Sequence, residues 1–102
     1  MYRARDRIEH SKWVDQLDNA GTELGLSPSV RSTATDLFLS HVPDADRSKP
    51  AVAAASLYAA ALIGGEQRSQ PAVADCFDVS RLCIQSRWKA LLEAAGFRSP
   101  SW

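Results

Sequence analysis

A helix predicted near the C-terminus has an outward face whose side chains could read DNA. Within the stretch DVSRLCIQSRWKALLEAAGF, the apolar residues of one helical face recur at spacings of four, three and four: Ile84, Trp88, Leu91 and Ala95. The residues predicted on the opposite face are Arg81, Leu82, Gln85 and Lys89. In the major groove, arginine reads guanine, glutamine can read adenine, and an apolar tip can touch the thymine methyl group. The alternative is an ordinary solvated helix face.

The same helix is predicted to be basic. The chain of 102 residues has a formal net charge of zero, so its composition implies no general attraction to nucleic acid or to a membrane surface. Residues 80–92 nevertheless include three basic residues and no acidic one: Arg81, Arg87 and Lys89. Arg87 falls on the flank of the apolar face, where it could pair with an acid such as Asp75 or contact a phosphate. The sequence leaves both open.

A second concentration of positive charge lies at the N-terminus. Residues 1–12 carry four basic and two acidic groups, and we expect residues 1–9 to form a basic N-terminal arm. A solubilising tail is the favoured role for this arm, and contact with phosphates is the alternative. Leu82 could also be covered by the arm or by a partner protein instead of facing DNA.

Helical periods run through the rest of the sequence, without an alternating strand pattern. We expect an all-α, five-helix bundle forming one domain over residues 10–97, followed by a frayed tail at 98–102. The first helix is predicted at roughly residues 10–24, and the second begins with Ser27 as N-cap and Pro28 in its first turn. The third, from Pro50 to about Ile63, is apolar or small almost all round, which is typical of a buried central helix.

The last two helices are predicted to form a helix-turn-helix over residues 69–95. Ser69 marks the start of the first helix, Ser80 stands at the N-cap of the second, and Gly96 stands where that helix should stop. In such units the second helix enters the major groove, and apolar residues beneath it fix its angle. Leu82 lies about 200° round the helix from Ile84, so we expect it to point away from the core.

Several classes of function lack the residues that they need. The sequence has no Gly-rich phosphate loop, HExxH, GxSxG or close nucleophile–histidine pair, so no enzyme is predicted. Cys76 and Cys83 do not have metal-ligand spacing, so we expect neither a metal nor another cofactor. Both thiols are expected to be reduced and buried, with a disulfide as the alternative. Without a signal peptide or membrane span, a cytoplasmic, nucleoid-associated protein is expected.

Two longer stretches resemble a known family. DRSKPAVAAASLYAAALIGG and SQPAVADCFDVSRLCIQSRWKALLEAAGF together resemble the cyclin-like repeat of archaeal transcription factor B, the relative of eukaryotic transcription factor IIB. The family has a T-Q-x-x-[VI]-A start and then V-[ST]-x-x-x-[IV]-x-x-R-[YW]-K-x-L. This chain matches at Ser69-Gln70, Val73-Ala74, Val79-Ser80, Ile84, Arg87-Trp88-Lys89 and Leu91. With LGLSPSVRSTATDLF at the first helix junction, the resemblance covers about residues 13–95 and is nearest the family's C-terminal repeat.

The resemblance implies a five-helix cyclin box that binds promoter DNA beside the TATA box, together with TATA-binding protein, and recruits RNA polymerase. Leu82 and Gln85 fall on the two main base-facing positions, where the family typically has valine and arginine. Leu82 keeps an apolar tip, whereas Gln85 lacks the charge and the guanine-directed fork of arginine. The residues expected to bind DNA are Arg81, Leu82, Gln85, Arg87 and Lys89.

The architecture of full family members is larger. They carry an N-terminal zinc ribbon, a linker that reaches the polymerase and two cyclin repeats, whereas this sequence matches one repeat. We therefore expect either an excised domain or a stand-alone single-repeat relative. The alternative function is a protein-interaction module that modulates or competes with the full initiation factor or the polymerase.

Overall fold

The fold is helical throughout the residues that the structure describes. A computed structural model of the chain describes residues 11–43 and 48–96, and these residues form six helices and no strand. The helices are α1 Ser11–Glu23, α2 Pro28–Ser40, α3 Lys49–Ile63, α4 Gln70–Phe77, α5 Arg81–Gln85 and α6 Trp88–Ala94. The predicted all-α class is confirmed. The arm expected at residues 1–9 and the tail expected at 98–102 lie outside the described residues.

The junction between α1 and α2 follows the local signals in the sequence. After α1, Gly25 has a φ of 73°, a conformation that glycine adopts without steric penalty. Ser27 is the N-cap of α2, and its hydroxyl oxygen accepts a hydrogen bond from the backbone N–H of Val30 at 3.3 Å. Pro28 opens the helix, where its missing N–H has no consequence. The predicted start of the second helix is confirmed.

Helix α3 is the centre of the bundle. Every residue from Ala51 to Ala61 is buried, and α3 packs against each of the other five described helices. Its alanines let neighbouring helices come close, while Leu57 and Tyr58 fill the wider spaces. The ring of Tyr58 meets that of Trp88 edge-on, with centroids 5.6 Å apart. This contact anchors α6 to the central helix.

The fifth predicted helix differs from the expectation because it is interrupted. A turn at Ser86 and Arg87 separates α5 from α6. The Ser86 hydroxyl donates to the backbone carbonyl of Cys83 at 3.3 Å, and the N–H of Arg87 donates to the carbonyl of Ile84, three residues back, at 3.0 Å. Such short-range bonds tighten the backbone and end a regular α-helix. Counted as one interrupted helix, α5 and α6 complete the five that were expected.

Two smaller expectations are also corrected. Ala95, expected on the apolar face, is exposed because α6 ends before it. Cys76 and Cys83, expected to be buried, are free thiols and only half-buried. Partial burial raises the pKa of the Cys76 thiol, and the carboxylates of Glu23 and Asp75 raise it further. A raised pKa leaves this thiol less reactive than an ordinary exposed cysteine.

Candidate nucleic-acid interface

The turn between α4 and α5 determines how the second helix leaves the bundle. Ser69 caps α4 by accepting a hydrogen bond from the backbone N–H of Ala72 at 3.2 Å. At the other end, Asp78 adopts a left-handed conformation with a φ of 55°, and the N–H of Val79 donates to the carbonyl of Ala74 at 3.2 Å. These bonds close α4 and turn the chain sharply. As a result, only three residues separate the end of α4 from the start of α5.

Helix α5 is anchored by one side chain and exposes three others. Ile84 is completely buried, whereas Arg81, Leu82 and Gln85 are exposed. Leu82 is 64% exposed and is the one large hydrophobic side chain exposed in residues 11–43 and 48–96. The predicted outward direction of Leu82 is confirmed. A single exposed leucine is common on protein surfaces, so its significance depends on its neighbours.

Those neighbours are polar and are joined to the first helix of the pair. Gln70 Nε2 donates to Gln85 Oε1 at 2.7 Å, and Arg81 Nη1 donates to Gln70 Oε1 at 3.4 Å. Because Gln70 is the first residue of α4, the two bonds connect α4 and α5 at the protein surface. We call the surface formed by Gln70, Arg81, Leu82 and Gln85 the α5 surface. Gln70 is part of the sequence pattern quoted above, but no contact of its side chain follows from that pattern.

Two of the predicted DNA-binding residues are not on α5: Arg87 lies in the turn that ends it, and Lys89 lies on α6. Lys89 is exposed on α6, and its Nζ is 5.6 Å from the centroid of the Trp88 ring, a distance suited to a cation–π interaction. Arg87 is half-buried in the turn, and its Nη1 donates to Ser86 Oγ at 3.3 Å. The structure therefore brings three of the five residues together on α5 and places the other two after it.

Within residues 11–43 and 48–96, the positive charge of this region has no ion-pair partner. Among the described residues, no carboxylate forms an ion pair with Arg81, Arg87 or Lys89. Asp75 and Asp78, which flank the turn, are both exposed. Cations without a carboxylate partner keep their attraction for phosphate groups.

A second polar region, on the loops of the bundle, could not be read from the sequence. Arg68 donates from Nε to the carbonyl of Leu24 at 2.9 Å and from Nη2 to the carbonyl of Gly25 at 3.4 Å. Its Nη1 donates to the carbonyls of Glu66 at 2.8 Å and Gln67 at 3.3 Å. The backbone N–H of Ser27 donates to Glu66 Oε1 at 2.8 Å. We call this group the Arg68 junction; it ties the loop before α2 to the loop before α4.

Glu66 is ionised more readily than an ordinary glutamate at this junction. Hydrogen bonds from the side chain and the backbone N–H of Ser27 lower the pKa of Glu66, and the guanidinium of Arg68 lowers it further. These effects outweigh the opposing effect of partial burial. Glu66 and Arg68 are thus engaged in holding loops together.

An open groove of about 370 Å³ lies along α1 and α2. In it, Arg31 Nε is 3.0 Å from Asp18 Oδ1, and Arg31 Nη1 donates to the carbonyl of Leu26 at 3.0 Å. The stem of Arg31 crosses Gly21 closely, because a Cβ atom at that glycine would lie 2.5 Å from Arg31 Cγ. Arg31 therefore joins the two helices.

Neither a cluster of metal-ligating side chains nor a membrane-spanning helix occurs in the described residues. Within the described residues, no group of three or more His, Cys, Asp or Glu side chains could hold a metal ion. None of the helices described above is long and apolar enough to cross a membrane.

Known proteins match nearly the whole chain. The sequence model of the transcription factor TFIIB repeat matches residues 9–94. The chain is similar to transcription initiation factor IIB of Pyrococcus abyssi and to that of Pyrococcus horikoshii, each 33% identical over 92 residues, covering 87% of this chain and 31% of the relative. It is also 29% identical over 90 residues to transcription initiation factor IIB 2 of Thermococcus kodakarensis, covering 85% of this chain and 29% of that protein. The chain thus spans about a third of the length of these curated relatives.

Proposed function

Because the chain belongs to the transcription factor TFIIB repeat family, we propose that it is a promoter-DNA-binding cyclin-like domain acting in basal transcription with TATA-binding protein. RNA polymerase is a further proposed partner, and the nucleoid in the cytoplasm is the proposed location. The domain comprises residues 10–97, with the helix-turn-helix at 69–95. Membership of a family of transcription factors agrees with the expectation that the chain is not an enzyme.

One observation carries the proposal: three exposed side chains suited to base edges share a short, firmly anchored helix. Arg81, Leu82 and Gln85 are exposed on α5, while Ile84 of the same helix is completely buried. The three-residue turn after α4 gives α5 the position of the second helix in a helix-turn-helix. That helix is the one that enters the major groove in DNA-binding members of this class. Arginine, glutamine and an apolar tip are all able to contact base edges there.

Arg87 and Lys89 have a different role in the proposal. Arg87 lies in the turn after α5 and Lys89 lies on α6, so we assign both to phosphates. Contacts to phosphates position a protein on the duplex and carry no direct sequence information. Lys89 is held near the surface by its contact with Trp88, which is only 2% exposed.

Fluorescence anisotropy of the purified chain with labelled duplexes tests the proposal. One duplex carries a TATA-box promoter and the other a scrambled sequence, each titrated across a salt series with and without TATA-binding protein. Lys89→Ala should weaken binding to both duplexes and reduce the salt slope by about 1. Gln85→Ala should change the ratio between the duplexes. The matched control is Lys12→Ala, which removes the same charge from an exposed position of α1.

The outcomes separate the proposal from its alternative. Salt-sensitive binding that prefers the promoter supports a groove reader, and binding only with TATA-binding protein supports a cooperative factor. If Lys12→Ala weakens binding as much as Lys89→Ala, the α5–α6 region is not specifically responsible, because net charge or the basic N-terminal residues explain the loss equally well. Absence of binding under every condition would replace the proposal by a protein-interaction module that modulates or competes with the full factor or the polymerase. Leu82 is an isolated apolar tip and not part of a broad patch in the described residues, which favours DNA over that module.

A further inference from the structure

Gln70 links the two polar side chains of the α5 surface. It donates from Nε2 to Gln85 Oε1 at 2.7 Å and accepts at Oε1 from Arg81 Nη1 at 3.4 Å. Gln70 is half-buried, whereas Arg81 and Gln85 are exposed. Gln70, whose partial burial limits its conformational freedom, therefore lies between the two side chains that face solvent.

The direction of this series of hydrogen bonds is determined by Arg81. A guanidinium carries five N–H donors and no acceptor, so any group that bonds to it must accept. The carbonyl oxygen of Gln70 therefore turns towards Arg81, and its amide NH₂ turns towards Gln85. Gln85 must then present its own carbonyl oxygen to Gln70. The NH₂ group of Gln85 is left for a ligand.

We infer that Gln70 is a specificity-determining residue that makes Gln85 a hydrogen-bond donor towards DNA; the inference rests on the proposed function. A glutamine that pairs with adenine uses its carbonyl and its NH₂ together, because adenine offers both an N6 donor and an N7 acceptor. With its carbonyl engaged by Gln70, Gln85 presents its NH₂ group and favours base edges that accept without a neighbouring donor: guanine through O6 and N7, or thymine through O4. Adenine can accept at N7, but its N6 donor lies beside that atom and faces the same NH₂ group. The preference differs from the adenine reading that glutamine alone suggests.

Two substitutions of Gln70 test whether its hydrogen bonds orient the Gln85 amide or whether the two side chains are merely close together. Gln70→Glu places a carboxylate between the same partners, and an ionised carboxylate only accepts hydrogen bonds. It accepts from Arg81 and also from the Gln85 NH₂, so the Gln85 carbonyl turns outward and favours adenine N6 or cytosine N4. Gln70→Leu removes both bonds and leaves the Gln85 amide free to take either orientation.

The test is a binding selection from duplexes with randomised positions beside a TATA box, with and without TATA-binding protein. We expect wild type to enrich guanine or thymine at one position, and Gln85→Ala to abolish enrichment at that position alone. Gln70→Glu should move the enrichment there to adenine or cytosine, and Gln70→Leu should broaden it. One hydrogen bond changes a binding ratio roughly twofold to tenfold, which is the size of shift to be detected.

A charge control is needed because Gln70→Glu adds a negative charge that weakens binding to all sequences. Ala90→Glu adds the same charge at an exposed position of α6 that takes no part in the hydrogen bonds among Arg81, Gln70 and Gln85. It should lower affinity and leave base ratios unchanged. If Ala90→Glu moves the preference as Gln70→Glu does, the added charge and not the amide orientation is responsible, and the inference is overturned.

NMR of the side-chain amides tests the orientation of the Gln85 amide without DNA. In ¹H–¹⁵N spectra of the free protein, Gln70→Glu should shift the Gln85 amide protons downfield, because they become donors to the new carboxylate. Unchanged Gln85 amide signals would overturn the inference, as would identical base enrichment for wild type and Gln70→Glu. If the NMR shift occurs and wild type selects no duplex under either condition, it is the proposed function that fails.

Discussion

The Arg68 junction and the α5 surface contain similar side chains but use their hydrogen-bonding groups differently. Arg68 donates to four backbone carbonyls in two loops. Arg81 donates, within the described residues, to the single side chain of Gln70. A guanidinium whose donors are taken by the backbone stabilises the fold, and one whose donors remain in solvent is available to a ligand.

The acid and amide of the two regions differ in the same way. Glu66 accepts a hydrogen bond from the backbone N–H of Ser27 and lies beside Arg68, so its charge is satisfied within the chain. Gln85 is exposed, and the one hydrogen bond of its side chain in the described residues is the one that its oxygen accepts from Gln70. The comparison teaches that the type of a polar residue does not identify a binding surface; the number of its donors and acceptors already used does.

The largest difference in stability between the two regions is expected when Arg68 and Arg81 are replaced separately. Arg68→Ala removes the donors to four backbone carbonyls and should lower the free energy of unfolding by roughly 1.5–3 kcal/mol, the range for hydrogen bonds to a charged group. Arg81→Ala, at an exposed position, should change it by about 0.5 kcal/mol or less. Urea denaturation of both variants measures the difference. Equal losses would show that Arg81 also serves the fold and would remove the distinction between the regions.

The serine N-caps give the next contrast. Ser27 accepts a hydrogen bond from Val30, whereas Ser80 occupies the N-cap position of α5 without a side-chain capping bond. We expect Ser27→Ala to lower the free energy of unfolding by about 1 kcal/mol. Ser80→Ala should lower it by less than about 0.5 kcal/mol. Thermal unfolding followed by circular dichroism compares the two, and a greater loss for Ser80→Ala would contradict the structure of the turn.

The helix starts show how far the sequence alone can be read. Ser27 and Ser69 each precede a proline-containing first turn, and the hydroxyl oxygen of each accepts a capping hydrogen bond; this cap was predicted for Ser27, and only the helix start was predicted at Ser69. Ser80 occupies the predicted position, but its hydroxyl lies 3.5 Å from the sulfur of Cys83 and caps nothing. Position follows from the local pattern, whereas the choice between two nearby hydrogen-bond partners depends on side-chain orientation.

The candidate site could be predicted in the same partial way. The outward direction of Leu82 follows from helical geometry once Ile84 is placed in the core. The separation of Lys89 from α5 could not be predicted in this way. The turn that separates them depends on short-range backbone hydrogen bonds, which the periodicity of apolar residues does not reveal. The contact of Gln85 with Gln70 and that of Arg68 with Leu24 were also hidden, since these partners lie 15 and 44 residues away in the sequence.

Acid should weaken the Arg68 junction through Glu66. Because the pKa of Glu66 is lowered in the fold, its carboxylate stabilises the folded state above the unfolded pKa. This stabilisation is lost as the pH falls through the folded pKa. We expect the unfolding temperature of wild type to fall below about pH 5, and that of Glu66→Gln to fall less steeply. Parallel curves for the two proteins between about pH 7 and pH 3 would contradict a stabilising role for the ionised carboxylate.

The smallest effect on stability is expected for Leu82→Ala. Leu82 is 64% exposed, so truncation removes little buried area and should change the free energy of unfolding by about 0.5 kcal/mol or less. Leu92→Ala is the matched control, because Leu92 is 4% exposed on the adjacent α6. Its loss should be roughly 2–5 kcal/mol. Urea denaturation of both variants provides the measurement.

A large loss for Leu82→Ala would change the comparison between the two regions. It would mean that Leu82 is covered in solution, for example by the N-terminal arm. The α5 surface would then serve the fold, as the Arg68 junction does, and would not be available to a ligand. If Leu82→Ala leaves the urea midpoint unchanged but weakens binding to thymine-containing duplexes, we conclude that the Leu82 tip is uncovered in solution and contacts a thymine methyl group in the complex. Leu82 would then contribute to binding and not to folding, which is the property that separates the α5 surface from the Arg68 junction.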